Sequence, residues 1–331
     1  MERFALAAAV VLGFALTAAL CSLFVPLRRV LERREQQQQP VQSEQPRPAP
    51  LRAPLWGGLC AAAGTVAAVG VGWLAACVDQ PELLGSEGRL MTRLLTALAG
   101  SLAFGAVGLA EDLARMRSPA ALGLRRDVRL LLEALAAAFV LLLLRAAGCL
   151  PRGLGVPGAG YVLLGSAVPF LWAVLMVALA ECARIAERDE GAVCGAAFVA
   201  MLALMMVEAG LGVSGLAVLP AALAGALVAL GLWAFPPARL GVGCCGSLLA
   251  AGAIGCIPLS LDMTSLTVPL ALPFWAAGGL LAAQLLCAKR TGKPLRCWVK
   301  KHKMSPETVF LCSFALSAVG YVLALALLRW C

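Results

Sequence analysis

Residues 108–129 read GLAEDLARMRSPAALGLRRDVR, and their reading decides the fold. An apolar run from about Leu94 ends on two adjacent acids, Glu111 and Asp112. Five arginines follow, Arg115, Arg117, Arg125, Arg126 and Arg129, before a second apolar run, LLLEALAAAFVLLLL, begins at Leu130. Charge bounded on both sides by long apolar runs marks a loop between membrane spans, because ionised side chains are costly inside hydrocarbon. Paired carboxylates beside a basic cluster at a membrane surface also suit a divalent cation and an anionic headgroup. The stretch is therefore both a topology signal and a candidate site.

Working outward, hydrophobic residues make up 61% of the 331-residue chain, and the mean hydropathy is +0.90. A soluble domain of this length does not have that composition. Apolar segments fall near 4–27, 55–77, 94–110, 130–148, 161–183, 191–212, 214–234, 242–261, 268–288 and 308–328. Most reach the roughly 17–25 residues that a spanning helix needs, and no alternating barrel pattern is present. The 34 glycines suit helices that pack closely in lipid. The expected fold is all-α: a polytopic membrane protein of about ten transmembrane helices, forming one domain over residues 1–331. The first segment lacks a small-residue cleavage site and reads as a retained span. Residues 36–54, rich in Gln, Pro and charge, read as a flexible tether within the domain.

Orientation follows from the basic residues. The loops 28–54, 111–129, 184–190, 235–241 and 289–303 hold 21 of the 27 Lys and Arg. The positive-inside rule puts these loops in the cytoplasm and both termini outside. The loop 78–92, with Asp79, Glu82 and Glu87, suits the external face. The net charge of +9 is thus mainly topology and calls for no nucleic-acid partner. The 13 cysteines have no regular spacing and form no C-x-x-C pair, which gives zinc and redox sites little support.

Four further stretches carry chemistry. Pro54-Leu55-Trp56-Gly57-Gly58 opens the second span. The segment ALAECARIAERDEGAVCG, residues 178–195, places Glu181, Arg184, Glu187 and Glu190 three apart, so they share one helix face. Residues 234–252, AFPPARLGVGCCGSLLAAG, contain a G-x-G-x-x-G spacing, but no strand precedes it and a dinucleotide fingerprint is rejected. The last basic loop contains KRTGK, residues 289–293, and His302, the single histidine. Glu133 lies one turn after Arg129 inside an apolar run. That i, i+4 spacing lets the two side chains meet, so Glu133 is either a functional acid within a span or a structural partner for Arg129.

These stretches, in order, resemble the motifs of the phospho-N-acetylmuramoyl-pentapeptide transferase family, within the polyprenyl-phosphate phospho-sugar transferases of glycosyltransferase family 4. Gly108, Leu109, Glu111, Asp112 and Arg115 resemble G-F-x-D-D-x-x-K, and Gly123, Leu124 and Arg129 resemble G-L-S-x-x-x-K. Glu181, Arg184, Glu187, Glu190 and Gly191 fall on N-x-x-N-x-x-D-G-x-D-G. Pro236, Pro237, Ala238, Arg239, Gly243, Gly246, Ser247 and Leu248 resemble P-P-A-K-x-F-M-G-D-S/T-G-S-L. KRTGK resembles K-x-T-G-K, the start of a loop that in the family ends in three histidines.

The resemblance implies transfer of a phospho-sugar from a UDP-sugar to undecaprenyl phosphate, with release of UMP and use of magnesium. In the muramoyl-pentapeptide branch the product is lipid I of peptidoglycan synthesis. It implies Glu111, Asp112, Glu187 and Glu190 as catalytic acids, and Arg115, Arg129, Arg239 and His302 as phosphate or substrate contacts. Glu187 and Glu190 would hold magnesium. It also implies a multi-pass protein of the cell (inner or plasma) membrane and admits a homodimer. Departures are Arg184 for Asn, Arg188 for Gly, a single histidine for three, and Cys244 for the family's magnesium-binding Asp. A thiol is a poor ligand for a hard cation. The expected activity is a transferase with weakened motifs. The alternative is an inactive homologue that binds polyprenyl phosphate or another cell-envelope protein.

Overall fold

The computed structural model of the chain describes residues 2–38, 56–79, 89–117, 123–151, 153–156, 160–163, 165–187, 191–213, 215–235, 239–291 and 306–330. Each of the ten apolar segments contains helix. The helices are α1 (Glu2–Gln38), α2 (Gly57–Asp79), α3 (Arg89–Arg117), α4 (Arg126–Ala146), α5 (Ala167–Ala186) and α6 (Ala192–Gly210). They continue with α7 (Val218–Ala234), α8 (Gly243–Ser260), the single turn α9 (Thr267–Leu270), α10 (Leu272–Thr291) and α11 (Pro306–Trp330). Among the described residues, seven helices are long and apolar enough to cross a bilayer, or eight if the bent α9–α10 pair is one span. The chain is an all-α polytopic membrane protein. Residues 39–54 of the expected tether lie outside the described residues, and 36–38 continue α1.

Two segments differ from their sequence reading. The fifth was expected to be helical from 161, but a short antiparallel hairpin precedes the helix. Its strands β1 (Gly153–Val156) and β2 (Gly160–Leu163) pair with Gly153 opposite Leu163. Val156, Tyr161 and Val162 favour extended backbone, and α5 starts only at Ala167. The ninth segment is bent by 64° between Thr264–Leu270 and Leu272–Ala283. Pro269 and Pro273 bracket the break, and proline removes a helix donor and crowds the preceding turn.

The bundle is built around α8, every residue of which is buried. Its sequence, GCCGSLLAAGAIGCIPLS, has no polar face to turn outward, and a helix apolar on all sides belongs in a core. Helix α3 packs along α8, with α5, α2 and α6 on its other sides, and α1 and α2 enclose α7. At the periphery, α1 exposes Phe4 and Leu23, α4 exposes Leu131 and Leu142, and α11 exposes Leu311 and Val322. Such outward apolar side chains suit lipid. Close helix contacts are made by small residues, as expected where lipid supplies no hydrophobic drive between helices. Gly108 of α3 lies directly on the Cys244 carbonyl, so a side chain there would collide with the α8 backbone. Gly58 of α2 meets the Gly246 backbone in the same way, so the Gly57-Gly58 pair is a packing device. These contacts bring the C-terminal end of α3 to the N-terminal end of α8.

Candidate functional site

Asp112 occupies that junction. It is 1% exposed; its Oδ1 accepts from the backbone N–H of Cys244 at 3.0 Å, and its Oδ2 from that of Cys245 at 2.9 Å. The first N–H groups of a helix have no partner within it. Asp112 is therefore a cap for α8 supplied from another helix, with its charge at the positive end of the α8 dipole. Near the C-terminus of its own helix, where a carboxylate is disfavoured, α8 compensates it, as do Arg115 and Arg117 in the last turn of α3.

Arg115 gathers the acids. Its Nη2 donates to Glu111 Oε1 at 2.8 Å, and its Nη1 lies 3.3 Å from Glu187 Oε1 and 3.8 Å from Asp112 Oδ1. The spacings i, i+4 to Glu111 and i, i+3 to Asp112 place these groups on one face of α3. Glu187, at the C-terminal cap of α5, also accepts from the Cys244 thiol, with Sγ 2.8 Å from Oε2. Three helices thus contribute Glu111, Asp112, Arg115, Glu187 and Cys244 to one cluster. Asp112 and Glu187 share Arg115, so they lie well within reach of one phosphate-sized ligand.

A second group adjoins it. Arg129 of α4 donates through Nε to Glu181 Oε1 at 2.7 Å, and its Nη1 lies 3.7 Å from Glu111 Oε1. Arg184 donates to Glu181 Oε2 at 2.7 Å. The three-residue spacing of Glu181, Arg184 and Glu187 does line one face, as expected. The expected pairing of Arg129 with Glu133 is corrected: Arg129 turns across to α5, where Glu181 is half-buried and within reach. Glu133 is fully buried, and neither of its oxygens has a hydrogen-bond partner among the described residues. Glu181 and the amides of Cys244 and Cys245 add to the expected site. The spacing 181/184/187 carried the signal for Glu181, whereas nothing in a side-chain motif signals a backbone amide.

The remaining expected site residues stand as follows. Arg239 is exposed within the α7–α8 connection, where its backbone N–H donates to the Trp233 carbonyl at 2.9 Å. Its side chain makes no ion pair among the described residues. Glu190, His302, Arg188, Pro236, Pro237, Ala238 and Lys293 lie outside the described residues. Gly191, on the family's second turn glycine, caps α6 with φ 84°, a left-handed conformation that glycine adopts without strain.

Asp112, Glu187 and Cys244 each bring one potential ligand atom within 4.8 Å of the others. The set does not fit magnesium. One donor is a thiol where a hard cation needs oxygen. Both Asp112 oxygens already accept amide hydrogens, and the Arg115 guanidinium touches the same two carboxylates. The expected magnesium set of Glu187 and Glu190 is thus met by one described residue, already engaged by Arg115 and the Cys244 thiol.

Residues 94–262 match the sequence model of glycosyl transferase family 4. The match covers just over half of the chain. The protein belongs to glycosyl transferase family 4. Members of this family are membrane phospho-sugar transferases that act on polyprenyl phosphates. The matched region contains Glu111, Asp112, Arg115, Arg129, Glu187, Glu190, Arg239 and Cys244, and excludes His302 and the KRTGK loop. No curated protein matches the chain.

Proposed function

We propose that this family 4 protein transfers a phospho-sugar from a UDP-sugar to undecaprenyl phosphate at the cytoplasmic face of the cell membrane. The observation that carries this reading is the convergence of family motifs from α3, α5 and α8 on one ionic cluster. KRTGK favours a muramoyl-pentapeptide donor, which makes the product lipid I.

In this reaction an oxygen of the lipid phosphate attacks the sugar-bearing phosphorus. The bond from that phosphorus to the bridging oxygen breaks, and the electron pair leaves on UMP. Such chemistry is served by positioning and by cations that balance the spreading negative charge. Glu111 and Asp112 are closed off, at 3% and 1% side-chain exposure, whereas Arg115, Arg184 and Glu187 are open at 23%, 20% and 11%. Phosphates therefore meet Arg115 and Arg184 at the rim, while Glu111 and Glu181 hold those guanidiniums in place. Asp112 fixes the end of α8.

Purified protein given undecaprenyl phosphate and UDP-muramoyl-pentapeptide should release UMP, less so after Arg184→Ala. Lipid-phosphate binding without UMP release from this or other UDP-sugars would instead identify an inactive homologue. Orientation has its own check. Reporters at Gln39 and Lys300 should read cytoplasm and one at Gly85 the outside; the reverse would put the cluster on the wrong face for a cytoplasmic UDP-sugar.

A further inference from the structure

Three carboxylates from two helices, Glu111, Asp112 and Glu187, meet a single guanidinium. Arg115 reaches them at 2.8, 3.8 and 3.3 Å. Two of these carboxylates, with Cys244, are also the only group among the described residues arranged to surround a metal ion. The two occupants compete for the same carboxylate oxygens. A divalent ion between Asp112 and Glu187 would compete with Arg115 for their oxygens and be repelled by its charge, with a thiol as third ligand. Arg115 is also tethered: its helix is fixed against α8 through Gly108 and through the bonds from Asp112 to Cys244 and Cys245.

We infer that Arg115 is the resident cation of this site. Its guanidinium holds the charge-balancing position between Glu111, Asp112 and Glu187 that a divalent metal would otherwise take, so the unmodified chain binds no divalent ion there. Phosphate oxygens then meet the partly exposed guanidinium directly. This charge balance belongs to the folded chain and stands whether or not a sugar phosphate is transferred.

The test is a manganese titration of the full chain in a phosphate-free detergent such as dodecyl maltoside, followed by the EPR signal of free Mn2+. Manganese stands in for magnesium because it takes the same oxygen ligands. Up to about 1 mM, the unmodified protein should show no saturable site. Arg115→Met removes the guanidinium and leaves three carboxylates, and it should gain one site at least about tenfold tighter than anything on the unmodified chain. Arg115→Lys keeps the charge and should gain none. Saturable binding by the unmodified protein that Glu187→Gln abolishes would overturn the inference, as would a folded Arg115→Met that binds no better than its parent. If Arg115→Met does not fold, the unmodified protein with and without Glu187→Gln decides: no saturable site supports the inference, and a Glu187-dependent site overturns it. UMP release with excess EDTA is a separate readout. Its complete absence under all conditions sinks the transferase proposal and leaves the titration result standing.

Discussion

Asp112 at the α3–α8 junction and Glu133 on α4 are both closed to solvent, at 1% and 0% exposure. The first has each oxygen bonded to a backbone amide of α8, and the second has neither oxygen bonded among the described residues. A buried carboxylate that accepts helix-terminal amides is a joint between helices. It satisfies groups that would otherwise be orphaned, and it gains from the α8 dipole. A buried carboxylate without hydrogen-bond partners satisfies no orphaned amide and carries the cost of its own desolvation. The same residue class therefore has opposite effects on stability about 20 residues apart, depending on whether an amide pair points at it.

The sharpest way to break this contrast is Asp112→Ala. Two buried N–H groups of α8 lose their acceptors, each costing about 1–3 kcal/mol, and the joint with α3 opens. A loss on the order of 3–5 kcal/mol is expected in reversible unfolding in mixed micelles. Asp112→Asn keeps one acceptor oxygen and should lose about half of that. An Asp112→Ala protein as stable as its parent would show that the α8 amides find other partners.

Next in size is Gly108→Leu. Its side chain would enter the space held by the Cys244 carbonyl, so α3 and α8 must separate. A cost of about 1–3 kcal/mol follows from overpacking, together with weakened Asp112 bonds. Unchanged stability would mean that α3 can slide on α8, and the Asp112 joint would then not be rigid.

Cys244→Asp probes the same junction from the other side. The substitution keeps the backbone N–H that Asp112 accepts, but it places a fourth carboxylate beside Glu187. Without divalent cations this variant should lose about 1–2 kcal/mol through like-charge contact. Millimolar magnesium should restore part of the loss and leave the unmodified protein unaffected. A melting temperature of the unmodified protein that climbs with magnesium as steeply as that of the variant would contradict the poor fit of the thiol site.

The contrast also explains what the sequence could and could not disclose. Each of the ten apolar segments contains helix, because a run of about 20 apolar residues has few alternatives. The 181/184/187 face held because spacing along one helix is local geometry. The bend between Leu270 and Leu272 escaped a reading by hydropathy, since Pro269 and Pro273 lie within a run that is apolar enough throughout, and so did strand β2, whose Tyr161, Val162 and Leu163 open the fifth apolar segment. Pairings between helices were the least legible. Arg129 has a carboxylate one turn away at Glu133, yet it bonds Glu181, 52 residues further on. Asp112 binds amides more than 130 residues away, and any residue type except proline could supply them. Cys244 looks in sequence like a lost ligand. In the fold its main contribution to the junction is its backbone N–H.

The smallest effect, and the one with the opposite sign, belongs to Glu133. Methionine has nearly the same length and no group that needs a hydrogen bond, so Glu133→Met removes an unpartnered buried carboxyl and keeps the packing. Replacing an unsatisfied buried polar group by an apolar one of similar shape is neutral or stabilising, here by about 1 kcal/mol. The neighbouring Arg129 keeps Glu181 and Glu111, so its own pairing is not disturbed. Glu133→Gln should change stability less, since an amide in the same place is neutral but still lacks partners. The unfolding free energies of the two variants, measured beside Asp112→Ala, should therefore fall on opposite sides of the parent for Glu133→Met and Asp112→Ala. A loss of more than about 1 kcal/mol in Glu133→Met would mean that the carboxyl holds a water or a cation between α4 and α5 that contributes to the fold, and the contrast between the two acids would collapse.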